Sequence, residues 1–313
     1  MRILFTGASS FTGYWFVQTL ARRGHSLVCA PAGNPDLYTG VRQQRWARLT
    51  NPIHTVASAP FGSEAFLNLL QQGGPWDLLC HHAADTSNYR SPDFDAVGAL
   101  TRNTLNIQAV LQTLKKQACR GIVLTGSVFE FDEAAGNEPL RAFSPYGLSK
   151  GLTWQVFRYY CDRMGMPLGK FVIPNPFGPF EEERFTAYLM RQWREAKVPS
   201  VKTPDYVRDN IPVDLLAKVY AQFTERVARS DEPLSRCNPS GFAETQGEFT
   251  HRVAREVRAR TGWDCDVALE KQQDFAEPLR RVNTKPATVQ VPDWNEGAFW
   301  DAFVAFYVPA AAT

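Results

Sequence analysis

The sequence predicts an α/β protein, a doubly wound parallel sheet followed by a smaller mixed α/β lobe. Three observations carry that prediction. Short apolar strands alternate with stretches of helical periodicity through the first half, the pattern of right-handed βαβ units. A small-residue loop, Thr6-Gly7-Ala8-Ser9-Ser10-Phe11-Thr12-Gly13, joins the first strand to the first helix. There, backbone N–H groups and a helix N-terminus together suit a pyrophosphate. After Pro174 the texture changes to mixed Pro, Arg, Glu and aromatic residues with short strands. The expected division is a dinucleotide-binding domain over 1–173 and a substrate lobe over 174–313. Segments near 208–220 and 234–240 are expected to return to the first domain.

Taken in order, Ile3-Leu4-Phe5 is an apolar strand ending at Thr6-Gly7. Phe11, Trp15, Phe16 and Leu20 recur at helical spacing up to Arg23, and Gly24 sits where a helix end is capped. Ser26 to Ala30 reads as a second strand, followed by a Pro-, Gly- and Asn-rich loop to Thr39. Trp76 to Cys80 is a further strand and leads into His81-His82-Ala83-Ala84. One long helix is expected over 96–117, then a strand over 121–125 that stops at Gly126-Ser127. A helix over 146–164 and a strand over 168–173 follow.

The 313 residues suffice for one large domain, or one with a smaller companion. A formal net charge of +2, with no concentrated basic run, points away from nucleic acid. Six cysteines, at 29, 80, 119, 161, 237 and 265, form no C-x-x-C pair. They read as reduced thiols and as neither a disulfide framework nor a zinc site, so no metal is expected. The N-terminus enters a strand at once, without a signal peptide's apolar stretch. No apolar run approaches the ~20 residues that span a bilayer. A soluble, cytoplasmic protein without membrane or nucleic-acid partners is expected.

In Ser144-Pro145-Tyr146-Gly147-Leu148-Ser149-Lys150 a helix starting near Pro145 sets Tyr146 and Lys150 on one face, at i and i+4. An ammonium favours the ionised form of a neighbouring phenol, which makes Tyr146 a candidate proton donor and acceptor. The same spacing also suits an ordinary surface helix. In the glycine loop, the middle position of a G-x-x-G-x-x-G reading is Ser10, the next smallest residue. The alternative there is a tight turn with no ligand.

Further segments appear in a telling order: His81-His82-Ala83-Ala84, the strand end Leu124-Thr125-Gly126-Ser127, Asn175-Pro176-Phe177-Gly178-Pro179, Arg208-Asp209-Asn210-Ile211-Pro212-Val213-Asp214 and Asn238-Pro239-Ser240-Gly241. With the glycine loop and the Tyr146–Lys150 pair, they resemble the extended short-chain dehydrogenase/reductase superfamily in its nucleotide-sugar-modifying branch, over residues 1 to about 245. The resemblance implies a Rossmann fold, with Tyr146 as catalytic acid/base and Lys150 lowering its pKa while holding the nicotinamide ribose. It places Thr125 at the catalytic Ser/Thr position, with Ser127 close enough to share the role; strand-end capping is the alternative for both. Gly7, Ser9, Ser10, Phe11, Thr12, Gly13, His82, Ala83 and Ala84 fall at cofactor-binding positions. Asn175 and Arg208 fall where the family meets the substrate diphosphate, unless Asn175 only shapes a turn and Arg208 pairs with Asp205 or Asp209. His81 and His82 are expected to form the loop and not to act as catalysts.

The 4,6-dehydratases of that superfamily carry an Asp-Glu pair after the catalytic Thr. Here Gly126-Ser127 follows Thr125 and no carboxylate appears until Glu130, so dehydration is disfavoured. No acid closes the second strand to bond the adenosine ribose of NAD; the first is Asp36, while Arg42 and Arg45 stand downstream for a 2′-phosphate. NADP(H) is therefore expected, with NAD(H) the alternative and the arginines as a solvated helix face the plain one. The expected activity is NADPH-dependent reduction of a nucleotide-linked 4-keto-6-deoxy sugar. A 4-epimerase with tightly bound NAD and a non-catalytic dinucleotide sensor are the alternatives. The resemblance also implies a homodimer, paired through the helices over 96–117 and 146–164.

Overall fold

A computed structural model describes residues 1–50, 52–136, 140–274 and 277–308. The first half alternates strands and helices as predicted, and adds a strand over Ile53–Thr55 and helices over Gly40–Ala47 and Glu64–Gly73 that the sequence analysis did not include. Strands β1 (Arg2–Thr6), β2 (Ser26–Ala30), β3 (Ile53–Thr55), β4 (Leu78–His81), β5 (Gly121–Ser127), β6 (Leu168–Ile173) and β7 (Leu234–Cys237) form one seven-stranded sheet ordered β7-β6-β5-β4-β1-β2-β3. Every pairing in it is parallel. Strand order reverses between β1 and β4, and in such sheets the crevice outside the carboxyl ends at that reversal receives ligands.

Parallel strands are covered on both faces, which explains their near-continuous apolar character. On one face Leu4, Leu79 and Ile122 pack with Phe66, Leu111, Trp154 and Phe157. On the other, Phe16 stacks on Tyr220 with ring centroids 3.9 Å apart, and Phe5 and Phe171 meet Tyr220 edge-on. Each such buried aromatic contributes roughly 1.5–3 kcal/mol from apolar burial.

Helices α1 (Phe11–Arg22), α2 (Gly40–Ala47) and α3 (Glu64–Gly73) connect the early strands. The single helix expected over 96–117 is instead two, α4 (Ala96–Asn103) and α5 (Ile107–Lys116). Asn106 breaks it by adopting the left-handed conformation at φ 50°, which asparagine tolerates, and its side-chain amide donates to the Gly62 carbonyl at 2.9 Å. Helix α6 (Pro145–Met164) starts with proline at its first position, Ser144 capping the Gly147 N–H and Gly165 closing it at φ 62°.

The chain divides into two compact units. The first comprises Met1–Glu133, Leu140–Ile173 and Ala217–Asn238; the second contains Pro174–Leu216 and the chain from Pro239. In the second, Val207–Pro212 pairs parallel with Asn175–Phe177 and antiparallel with Phe242–Thr245. Its core is aromatic, with Phe177, Phe249, Phe299, Trp300 and Phe303 in contact. All six cysteines are buried free thiols. Among the described residues no helix is long and apolar enough to cross a membrane.

Candidate active site

Two corners of the first unit lie at carboxyl ends of the sheet. The first is the glycine turn after β1. Gly7 has φ +83°, and a Cβ there would lie 2.7 Å from the Ala83 nitrogen; a Cβ on Gly13 would lie 2.1 Å from the Gly7 carbonyl oxygen. Glycine is thus dictated twice, once by dihedral and once by close approach. Ser10, in place of a middle glycine, turns its side chain inward. Its hydroxyl donates to the Gly7 carbonyl (2.9 Å) and accepts from the Gly13 N–H (3.1 Å) as the N-cap of α1. The Ser10 side chain is thereby used within the turn, at the N-terminus of α1 where the helix dipole is positive.

His82 ties this turn to the second corner. Its Nε2 lies 3.0 Å from Ser10 Oγ and 3.1 Å from Thr12 Oγ1, and its Nδ1 lies 2.9 Å from Thr125 Oγ1. The ring thus bridges the two hydroxyls of the glycine turn and the Thr125 hydroxyl at the end of β5. Burial, reinforced by Lys150 and His81, pushes His82 down to about 3, so the ring is neutral at physiological pH. His81 is equally depressed, to about 3 by burial and Lys150, and spans Thr6 Oγ1 (2.9 Å) and the Asn103 carbonyl oxygen (3.2 Å). Ala83 joins the turn through its N–H, which donates to Thr6 Oγ1 at 3.1 Å, and half-buried Ala84 follows it.

The second corner is the end of β5 with the first turn of α6. Lys150 is buried and its ammonium donates to the Thr125 carbonyl at 2.5 Å; burial lowers it to about 8, against the opposing pull of Glu130. Tyr146 is half-buried one turn earlier, with the rings of Tyr89 (5.4 Å), Phe94 (5.9 Å) and Phe129 (6.3 Å) around it. Two glycines let α6 approach so closely. A Cβ on Gly147 would lie 2.1 Å from the Phe129 carbonyl oxygen, and one on Gly151 2.4 Å from the Phe131 ring. Their G-x-x-x-G spacing was the available signal in the sequence, alongside the more conspicuous Tyr146 and Lys150.

The two hydroxyls at this strand end differ. Thr125 is 4 % exposed and its hydroxyl lies 2.9 Å from His82 Nδ1, so it is engaged inside the protein. Ser127 is half-buried, and its oxygen accepts from the Phe129 N–H at 3.2 Å, a bond that does not use its own proton. Both hydroxyls named from the family resemblance thus lie at the end of β5, Thr125 buried against His82 and Ser127 half-buried.

The arginines also separate. Arg45 is 1 % exposed and its Nε donates to the Ser9 carbonyl at 3.0 Å, so it buttresses the loop from inside. Arg42 is exposed, lies over the Tyr38 ring at 3.9 Å and donates to Ser9 Oγ at 3.0 Å. In the second unit, the Asn175 amide donates to Asn210 Oδ1. Arg208 pairs with Glu277 at 3.3 Å and lies over the Tyr206 ring, not with Asp205 or Asp209. Asp209 is instead buried, accepting from the Gly241 (2.7 Å) and Asn283 (2.9 Å) N–H groups.

Solved structures share this fold. A UDP-glucose 4-epimerase from Stenotrophomonas maltophila, solved with bound NAD and formylated UDP-arabinopyranose, is 17 % identical with TM-score 0.74, over 98 % of each chain. A dTDP-glucose 4,6-dehydratase from Streptomyces venezuelae, solved with NAD, is 18 % identical with TM-score 0.73, over 98 % of this chain and 97 % of that one. A UDP-glucuronic acid 4-epimerase from Bacillus cereus is 17 % identical with TM-score 0.71, over 98 % and 99 %. At such identities the likeness is one of fold. No curated protein sequence matches the chain. The model of one family does, from residue 3 to residue 235. With the Rossmann strand order and the glycine turn already in place, that match is decisive: the chain belongs to the NAD dependent epimerase/dehydratase family, enzymes of the extended short-chain dehydrogenase/reductase superfamily.

Proposed function

We propose that this enzyme reduces a nucleotide-linked 4-keto-6-deoxy sugar with NADPH. The observation that carries the reading is the corner at the end of β5. It combines one hydroxyl donor, one phenol and one buried ammonium, while the nearest carboxylate, Glu130, is fully buried beneath the strand. A single proton donor suits carbonyl reduction, whereas water elimination needs a further acid and base at the substrate. When bound, the nicotinamide supplies the hydride. Ser127 donates to the carbonyl oxygen, Tyr146 delivers the proton, and Lys150 holds the phenol's proton mobile. The role that the motif match gave to Thr125 passes to Ser127.

Three rings around the phenol favour an apolar substituent beside the carbonyl, such as the methyl of a 6-deoxy sugar. Gly7, Gly13 and the start of α1 are assigned to the dinucleotide pyrophosphate, at a turn whose glycines let the backbone pack closely against Ala83 and on itself. Arg42 is assigned to the 2′-phosphate, because no acid closes β2 and the guanidinium stands exposed beside Ser9. Asn175 and Arg208 are assigned to the substrate diphosphate. A homodimer through α4, α5 and α6, which expose Val97, Leu148 and Tyr159, completes the reading.

The test begins with the purified enzyme: any dinucleotide is released and identified, then NADPH and NADH are titrated. Exchangeable binding that favours NADPH about tenfold, and loses that preference in Arg42→Ala, is expected. Tyr146→Phe should lower kcat about 10²- to 10⁴-fold with NADPH affinity kept. Stoichiometric NAD that survives purification, with no net redox turnover, would overturn the reading in favour of a 4-epimerase, the activity named for several of the structural neighbours.

A further inference from the structure

Beneath the β5 corner lies a cluster of charges that the reaction above does not use. Glu130 is 0 % exposed and Lys170, on β6, is 1 % exposed. The Lys170 ammonium donates to Glu130 Oε2 at 2.5 Å and to Glu133 Oε1 at 2.6 Å, and Arg236 pairs with Glu133 in turn. The other oxygen of Glu130, Oε1, accepts the Ser127 N–H at 2.7 Å, while the Glu130 N–H donates to the Ser127 carbonyl at 3.2 Å. Residue 130 therefore closes the turn from both ends, and the Phe129 N–H holds the Ser127 hydroxyl oxygen from within. The strand passes directly over the ion pair. A Cβ on Gly126 would lie 2.7 Å from Lys170 Cε and 3.0 Å from Glu130 Oε1.

Ionised groups at the core of a parallel sheet are a poor source of stability, since well-packed apolar side chains of similar volume usually serve as well or better. What a carboxylate offers that an apolar side chain cannot is a short, charge-assisted and directional bond to a backbone N–H. We infer that Glu130, clamped by Lys170, is a positioning residue that fixes the Ser127 turn and so aims the Ser127 hydroxyl beside Tyr146; this rests on the proposed roles of those two residues. Glu130 reaches the reacting corner electrostatically as well. The charged and titratable groups that act on Lys150 are Glu130 from the β5 turn, Lys170 from β6, His81 at the end of β4 and His82 just after it. Among these only Glu130 supports the Lys150 charge.

Two substitutions separate the two effects. Glu130→Asp keeps the charge, and with it the pair that the fold depends on, but withdraws the carboxylate from the Ser127 N–H by one methylene. It should lower kcat about 10- to 100-fold with KM nearly unchanged, the scale of an ångström's misplacement, and leave the alkaline limb of the pH profile in place. Glu130→Gln keeps an oxygen for the Ser127 N–H but removes the charge, so the alkaline limb set by Lys150 should move to lower pH. Hydrogen exchange supplies a readout free of turnover: the Ser127 amide should exchange faster in Glu130→Asp while the rest of β5 stays protected. Unchanged kcat, pH limb and Ser127 exchange in both variants, with only the melting temperature lowered, would overturn the inference. If instead Tyr146→Phe were fully active, the proposed reaction would fail while the Ser127 exchange still reported on Glu130.

Discussion

The glycine turn after β1 and the corner after β5 are both held rigid, by opposite means. The first uses neutral groups and steric closeness: Gly7 and Gly13 leave no room for a Cβ, and a neutral His82 joins Ser10, Thr12 and Thr125. The second uses charge, with Glu130, Lys170 and Glu133 beneath Ser127 and Lys150 on the Thr125 carbonyl. A cradle that receives a diphosphate needs shape and N–H groups, and a buried carboxylate beside it would repel the ligand. A corner that moves a proton needs a tuned field, and buried charges set one. The difference teaches that two turns at one sheet edge reach close packing by different means, neutral hydrogen bonds in one and buried ion pairs in the other, which suits the diphosphate and proton-transfer roles proposed for them.

The strongest break of that contrast is to exchange the hydroxyls. Ser127→Ala should lower kcat about 10²-fold, with the bond accepted from the Phe129 N–H costing about 1 kcal/mol of stability when lost. Thr125→Val should do the reverse. It leaves His82 Nδ1 buried without its partner, which costs about 1–3 kcal/mol in unfolding free energy, while kcat per folded enzyme is nearly kept. Denaturant titration alongside steady-state kinetics reads both, and the opposite pattern would return the catalytic role to Thr125.

Gly7→Ala sharpens the steric half. The side chain would collide with the Ala83 nitrogen at a positive φ, so dinucleotide affinity should fall at least about tenfold and stability by about 1–3 kcal/mol. Fluorescence titration and melting curves measure the two losses. Affinity within twofold of wild type would show that the turn can widen, and that the cradle is not set by closeness.

The smallest expected effect is a contrast in pH dependence. His81 and His82 protonate only near 3, so the glycine corner carries no change of charge between pH 5 and 7, and NADH affinity should be flat within about twofold there. Lys150, lowered to about 8, loses its proton as pH rises past that value, so kcat should fall on the alkaline side. A step in NADH affinity near pH 6 would mean that His82 titrates, and the neutral bridge would be wrong.

How much was legible follows from range along the chain. The glycine turn, the Tyr146–Lys150 pair and the sheet strands are local patterns of period, spacing and small residues, and each lies where its pattern says. The break of the helix at Asn106 was not legible, because it depends on a carbonyl 44 positions away in the chain, at Gly62. Arg42 and Arg45 looked alike in sequence and differ only in which of them the fold buries. Glu130 read as the first carboxylate after Thr125, too far along to serve a dehydration; that its partner is Lys170 could not be read, since β6 reaches β5 only through the sheet.

By itself, then, the amino-acid sequence determined the βαβ alternation, the glycine turn after β1 and the phenol–ammonium face of α6, because side-chain period and backbone sterics act over a few residues. Only the tertiary structure decided how deeply each strand-end hydroxyl is buried, which arginine is exposed and what lies beneath Ser127. Those depend on burial and on hydrogen bonds between segments far apart in the chain, where desolvation assigns each polar group its partner.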